Sequence, residues 1–166
     1  MQELRLLKKL DFRMFTFTLL ESNNDLKEII QSAFDAQLHI DGSWGYQEDQ
    51  ATIIHSTEVP ISQFEHMFAS MRAYTEMNMT KEPHERYGSI NLNEVSREVV
   101  EKESKIYHKI QYKITAMQED SYATFINAYK EGYGKETFNI SEHFKQREEA
   151  TLSREVTHWF EVSQLS

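Results

Sequence analysis

"KIYHKIQYKITAM" (residues 105–117) decides the fold class. Ile106, His108, Ile110, Tyr112 and Ile114 alternate with Tyr107, Lys109, Gln111 and Lys113. Side chains along a strand point to opposite faces in turn, so this period of two predicts a strand with one buried and one wet face. That alternation belongs to antiparallel sheets, whereas strands covered on both faces are apolar throughout. "INLNEVSREVV" (90–100) reads as the preceding strand, joined to it by the charged turn "EKES" (101–104).

Towards the C-terminus, "QEDSYATFINAYKEGYG" (118–134) predicts a helix. Tyr122, Phe125, Ile126 and Tyr129 fall on one face, and Gly132 or Gly134 stops it. "ETFNI" (136–140) reads as a short strand and "SEHFKQREEA" (141–150) as a charged helix capped by Ser141. "REVTHWFEV" (154–162) closes as a strand with Val156, His158, Phe160 and Val162 on one side.

Towards the N-terminus, "VPISQFEHMFASMRAYTEMNM" (59–79) is the clearest helix. Pro60 suits its first turn, Ser62 and Glu65 have capping-box spacing, and Ile61, Phe64, Met67, Phe68, Met71 and Tyr74 make the apolar stripe. The methionines read as core filler. "TKEPHERYGS" (80–89) is a polar loop. "QLHIDGSWGYQEDQATIIHS" (37–56) reads as a hairpin, with Leu38, Ile40, Gly42, Trp44 and Tyr46 on one face and His39, Asp41 and Ser43 on the other. Gly42 marks a bulge or a close approach. Before it, residues 21–37 predict a helix capped by Asn24, and "DFRMFTFTLL" (11–20) a central strand.

The expected architecture is therefore α+β: a largely antiparallel sheet with helices packed on one face. The strand-helix-strand order at 10–46 and again at 105–140 fits a duplicated module of ferredoxin-like or effector-binding type. Residues 1–166 are read as a single domain, with 1–80 and 88–166 as candidate sub-structures about the loop 80–88.

The chain has 18 Lys and Arg against 27 Asp and Glu, a formal charge of −9. Between Arg13 and Arg72 the one Lys or Arg is Lys27, against nine carboxylates: Glu21, Asp25, Glu28, Asp35, Asp41, Glu48, Asp49, Glu58 and Glu65. Such a surface repels phosphate backbones and disfavours nucleic acid, while suiting a basic partner. No run approaches the roughly 18 apolar residues of a membrane span, and the N-terminal stretch lacks a signal-peptide h-region. There are no cysteines, hence no disulfides, thiolate metal sites or cysteine nucleophiles. The expectation is a cytoplasmic protein without membrane association or cofactor.

No phosphate loop, Rossmann glycine pattern, nucleophile elbow or zincin helix is present. His39 and Asp41, two apart on one strand face, offer a ligand or catalytic pair, and His55 joins them if the returning strand pairs in suitable register. "HST" (55–57) matches one half of a two-histidine phosphoesterase pattern, and the second copy is missing. His108 and His158 read as core histidines beside tyrosines, placed where a pocket would use them. Aromatic rings carry the stronger signal: Trp44, Tyr46, Tyr112 and Trp159 are expected to line one concavity, with Arg72 or Arg86 as its charged contact.

The functional expectation is a small acidic binding or regulatory protein, non-enzymatic, with that aromatic pocket or an acidic docking face. Its partner is an unknown protein or small-molecule ligand, and edge pairing would give a homodimer. The alternative is a small-molecule hydrolase or phosphoesterase, possibly metal-dependent, built on His39, Asp41 and His55.

Overall fold

Strand β4 (Lys105–Gln118) lies inside a five-stranded sheet of order β1-β2-β5-β4-β3, in a computed structural model that describes residues 19–20 and 26–165. The partners are β1 (Ile40–Gly42), β2 (Thr52–Ile54), β3 (Tyr87–Lys102) and β5 (Leu152–Glu161). Every pairing is antiparallel except β2 with β5. The helices are α1 (Leu26–Phe34), α2 (Ile61–Tyr74), α3 (Glu119–Gly132) and α4 (Ile140–Ala150). The fold is thus α+β with a mostly antiparallel sheet. That one sheet takes strands from both sides of the loop 80–88.

The alternation of β4 holds over 110–114, where Ile110, Tyr112 and Ile114 are buried and Gln111 and Lys113 face solvent, but not at its start, where Ile106 is exposed and Tyr107 is buried beside Trp159 on the other face. On β5 the same layer takes His158 and Phe160, both fully buried. Trp44, Phe64 and Phe68 close the core from the other side, with Trp44 stacked on Phe68.

Four local expectations are corrected. Glu65 forms no capping box with Ser62; it is fully buried under the sheet, and the N-cap of α2 is Pro60, without a side-chain cap. The buried side of α2 is Phe64, Glu65, Phe68, Ala69, Arg72 and Ala73, so the stripe turns away from Tyr74, which is 45% exposed. Residues 136–140 form no strand. Asn139 caps α4 by accepting a hydrogen bond from the Glu142 N–H, in place of Ser141, and the chain passes from α3 to α4 through a turn. The strand-helix-strand order therefore does not recur over 105–140. The strand expected at 11–20 and the cap at Asn24 lie outside the described residues, apart from Leu19 and Leu20.

Candidate functional site

The stretch 37–56 does fold back on itself, in a register of Ile40 to Ile54, Asp41 to Ile53 and Gly42 to Thr52. The His55 N–H donates to the His39 carbonyl at 2.8 Å, extending the ladder by one rung. This brings Asp41 and His55 together: the imidazole Nε2 lies 2.5 Å from Asp41 Oδ2. Nδ1 lies 2.6 Å from Gln164 Oε1, in the segment after β5. With an oxygen at each ring nitrogen, the arrangement favours the protonated form of the ring. The Gln164 bond and then the Asp41 carboxylate raise its pKa above the ordinary value. Asp41 is lowered in turn, first by Lys27 at 3.0 Å and then by His55.

The His39 side chain does not join them. It is exposed and lines a separate hollow of about 510 Å³ with Leu38, Phe64, His66 and Met67. Among the described residues no set of three His, Cys, Asp or Glu converges as metal ligands.

The aromatic residues do not share one concavity. Trp44 is fully buried in the core, and so is Tyr112, whose hydroxyl has no partner among the described residues. Trp159 sits on the opposite face of the sheet, edge-on to Tyr107 and under Lys109. Tyr46 is half-buried with Arg72 over its ring at 4.6 Å. Arg72 is itself buried and donates to the carbonyls of Trp44 (3.1 Å) and Thr157 (3.0 Å). The Tyr46 hydroxyl donates to Glu76, which also receives Arg154 at 2.5 Å. Glu76 is aimed inward by a π-helical turn, Thr75–Met79, that continues α2. These groups tie α2 to the sheet. Arg86 donates to the Lys81 carbonyl within the loop 80–88.

A different pair of residues converges on a cleft. His108, on the helix-facing side of β4, places Nδ1 2.7 Å from Glu65 Oε2. Glu65 is fully buried, and its other oxygen takes Arg97 from β3 at 2.8 Å. A carboxylate accepts, so His108 donates through Nδ1, and Nε2 is left without a partner among the described residues. His108 and His55 line one cleft of about 650 Å³. Its remaining walls are Ile61, Ile106, Val162 and Leu165, with Ser56, Thr57 and Gln164 at the polar rim. Each imidazole is thus held by a carboxylate from outside the cleft: Asp41 holds one and Glu65 the other. In the sequence, two signals hinted at this site: His55, singled out with Asp41 and in the HST tripeptide, and His108, among tyrosines on an apolar face. Glu65 and Arg97 gave no sign, because their pairing depends on strand register. Comparison with protein-family models, curated proteins and solved structures finds no match.

Proposed function

We propose that this chain works by binding, and that it takes a small, largely apolar ligand in the cleft between His55 and His108. One observation carries the reading: two carboxylate-held imidazoles open on the same cleft of about 650 Å³, whose other walls are aliphatic. Pockets of roughly 300–1,000 Å³, mostly apolar with a few fixed polar groups, are the usual form of a small-molecule site.

The same geometry bears on the two competing readings, one built on His55 and the other on the acidic span. A general base needs a free lone pair within reach of a proton. Both ring nitrogens of His55 are engaged, with Asp41 and with Gln164, so it offers none while those bonds hold, and His39 stands apart from the pair. Among the described residues, three of the nine carboxylates of the acidic span are held in internal pairs. Glu65 is buried with Arg97 and His108, Asp41 is held by Lys27 and His55, and Glu48 meets Lys102 at 3.1 Å.

The test is an NMR titration of isoleucine-methyl-labelled protein with octanoate and, separately, with 1-octanol. At least one should move the Ile61 and Ile106 methyl signals while Ile54 and Ile110, in the core, stay. If neither probe moves Ile61 or Ile106, the cleft is not a binding site for such molecules and the reading fails.

A further inference from the structure

The chain carries 27 Asp and Glu, yet none of the nine described residues lining the His55–His108 cleft is acidic. The carboxylates that hold its two imidazoles, Asp41 and Glu65, do not line it and are engaged elsewhere: Asp41 by Lys27 and His55, Glu65 by Arg97 and His108. Resting on the binding reading above, we propose that the ligand is an amphiphilic anion, with a carboxylate or phosphate monoester head at His108 and Gln164 and an apolar chain against Ile61, Ile106, Val162 and Leu165.

The polar rim supplies donors at Gln164 and Ser56. His108 leaves Nε2 outside its bond to Glu65; with Nδ1–H on Glu65, that nitrogen is an acceptor in the neutral ring and a donor in the protonated one, the form an anionic head at Nε2 favours. Gln164 spends its carbonyl oxygen on His55, so its NH₂ is the part left to offer. The Ser56 hydroxyl stands beside them, while Thr57 is turned to its own loop, donating to the Val59 carbonyl and accepting from the Val59 N–H. His55 contributes charge without a free hydrogen, since both its N–H groups are committed. The charged groups facing His108 are Glu65 from α2, Arg97 from β3 with its own partner Glu94, and His55 across the cleft. An ammonium head would meet the protonated His55 ring with no carboxylate among the described lining residues to receive it. An alcohol would satisfy a donor and gain nothing from the charge. An anion takes both, and hydrogen bonds to charged partners are about twice as strong as neutral ones. The aliphatic side matches the other half of the ligand, because apolar burial contributes in proportion to area.

Calorimetric titration of the full chain at low salt and pH 6.5 with octanoate, octyl phosphate, 1-octanol and octylamine tests the proposal. Octanoate or octyl phosphate should bind at least tenfold more tightly than 1-octanol, and octylamine more weakly than 1-octanol. The tighter of the two anions identifies the head. Octanol or octylamine binding as tightly as both anions overturns the anion assignment while the binding reading stands; no binding of any probe overturns both. His108→Gln should cut the anion preference at least fivefold and leave 1-octanol unchanged. Because His108 also serves Glu65, Gln164→Leu is the second variant: it alters an exposed side chain and should reduce the same preference. An undiminished preference in a folded Gln164→Leu protein would contradict the placement of the head group.

Discussion

At residue scale, three side chains around the Trp44–Gly45 corner show how tightly function-like residues are absorbed into structure. Trp44 is fully buried on Phe68 and its carbonyl receives Arg72, so Trp44→Ala should cost about 3–5 kcal/mol in a denaturant titration. A midpoint equal to the parent's would put Trp44 outside the core. Gly45 has φ +86°, and a Cβ there would lie 2.2 Å from the His158 ring and 2.9 Å from the Trp159 carbonyl. Gly45→Ala is therefore expected to lose more than about 2 kcal/mol, from backbone strain and from overpacking together. His158 itself stacks flat on Phe160 at 4.0 Å. Thr52 donates its hydroxyl to the Ser43 carbonyl, so its oxygen receives His158 Nε2–H at 3.0 Å, and Nδ1 carries the lone pair. Burial, with the Arg72 guanidinium, holds this imidazole neutral with a pKa well below its usual value. The unfolded chain therefore takes up the proton first. The His158 contribution is whole above about pH 6.5 and declines as pH falls, by about 1.4 kcal/mol per unit at most. Stability curves from pH 7 to 4.5 should show that extra slope in the parent and not in His158→Gln; parallel curves would contradict it.

At element scale, the β3–β4 ladder explains the site. Pairing shifts between Glu94 and Ser96, so Glu94 opposes Tyr112 and Arg97 opposes Ile110. Three residues apart on a regular strand, they would face opposite sides; the extra residue of a bulge puts both on the face towards α2. Arg97 then bridges Glu94 (2.7 Å) and buried Glu65, which raises its pKa, chiefly through Glu94. Val95, the residue in excess, is 53% exposed. The bulge and the flanking charges also blunt β3 as an outer strand. Arg97→Met should cost about 3–5 kcal/mol, because it leaves a buried carboxylate short of a cation. Adding Glu65→Gln should restore more than half of that, as a double-mutant cycle would show; additive losses would mean the pair is not coupled. This is also where sequence reading stopped. The period of two was legible over 110–114, where burial on one face imposes it, and failed at Ile106 and Tyr107, where Trp159 covers the other face. Helix α2 was legible in its length, but not in its rotation. Its buried face includes Glu65 and Arg72, and a charged residue looks inward only once its partners are known. Residues 136–140 misled because Phe138 and Ile140 carry strand propensity, while the cap at Asn139 and the turn from α3 decide for helix.

At the scale of the whole molecule, the −9 charge describes the surface poorly near the cleft, where carboxylates are turned into supports for imidazoles. The His55 link joins β1 to the segment after β5. His55 titrates above its ordinary value, so its contribution is full below about pH 6.5 and is lost as pH rises through the raised folded value; Asp41, lowered, contributes fully above about pH 4 and loses it below. With Asp41 about half exposed, the link is worth under about 1 kcal/mol. An NMR titration should place the His55 pKa above 6.5, and Asp41→Asn should bring it down; no change in that variant would remove Asp41 as a cause. The central claim is that the cleft between His55 and His108 is where this protein meets its ligand. Ile106, 37% exposed on its wall, tests it most directly, since a larger side chain there fills the cleft without entering the core. Affinity for the tightest-binding of the octyl probes should fall at least tenfold in Ile106→Trp while the denaturant midpoint stays with the parent's. Equal affinity in parent and variant, or no binding of any probe to the parent, would contradict the account.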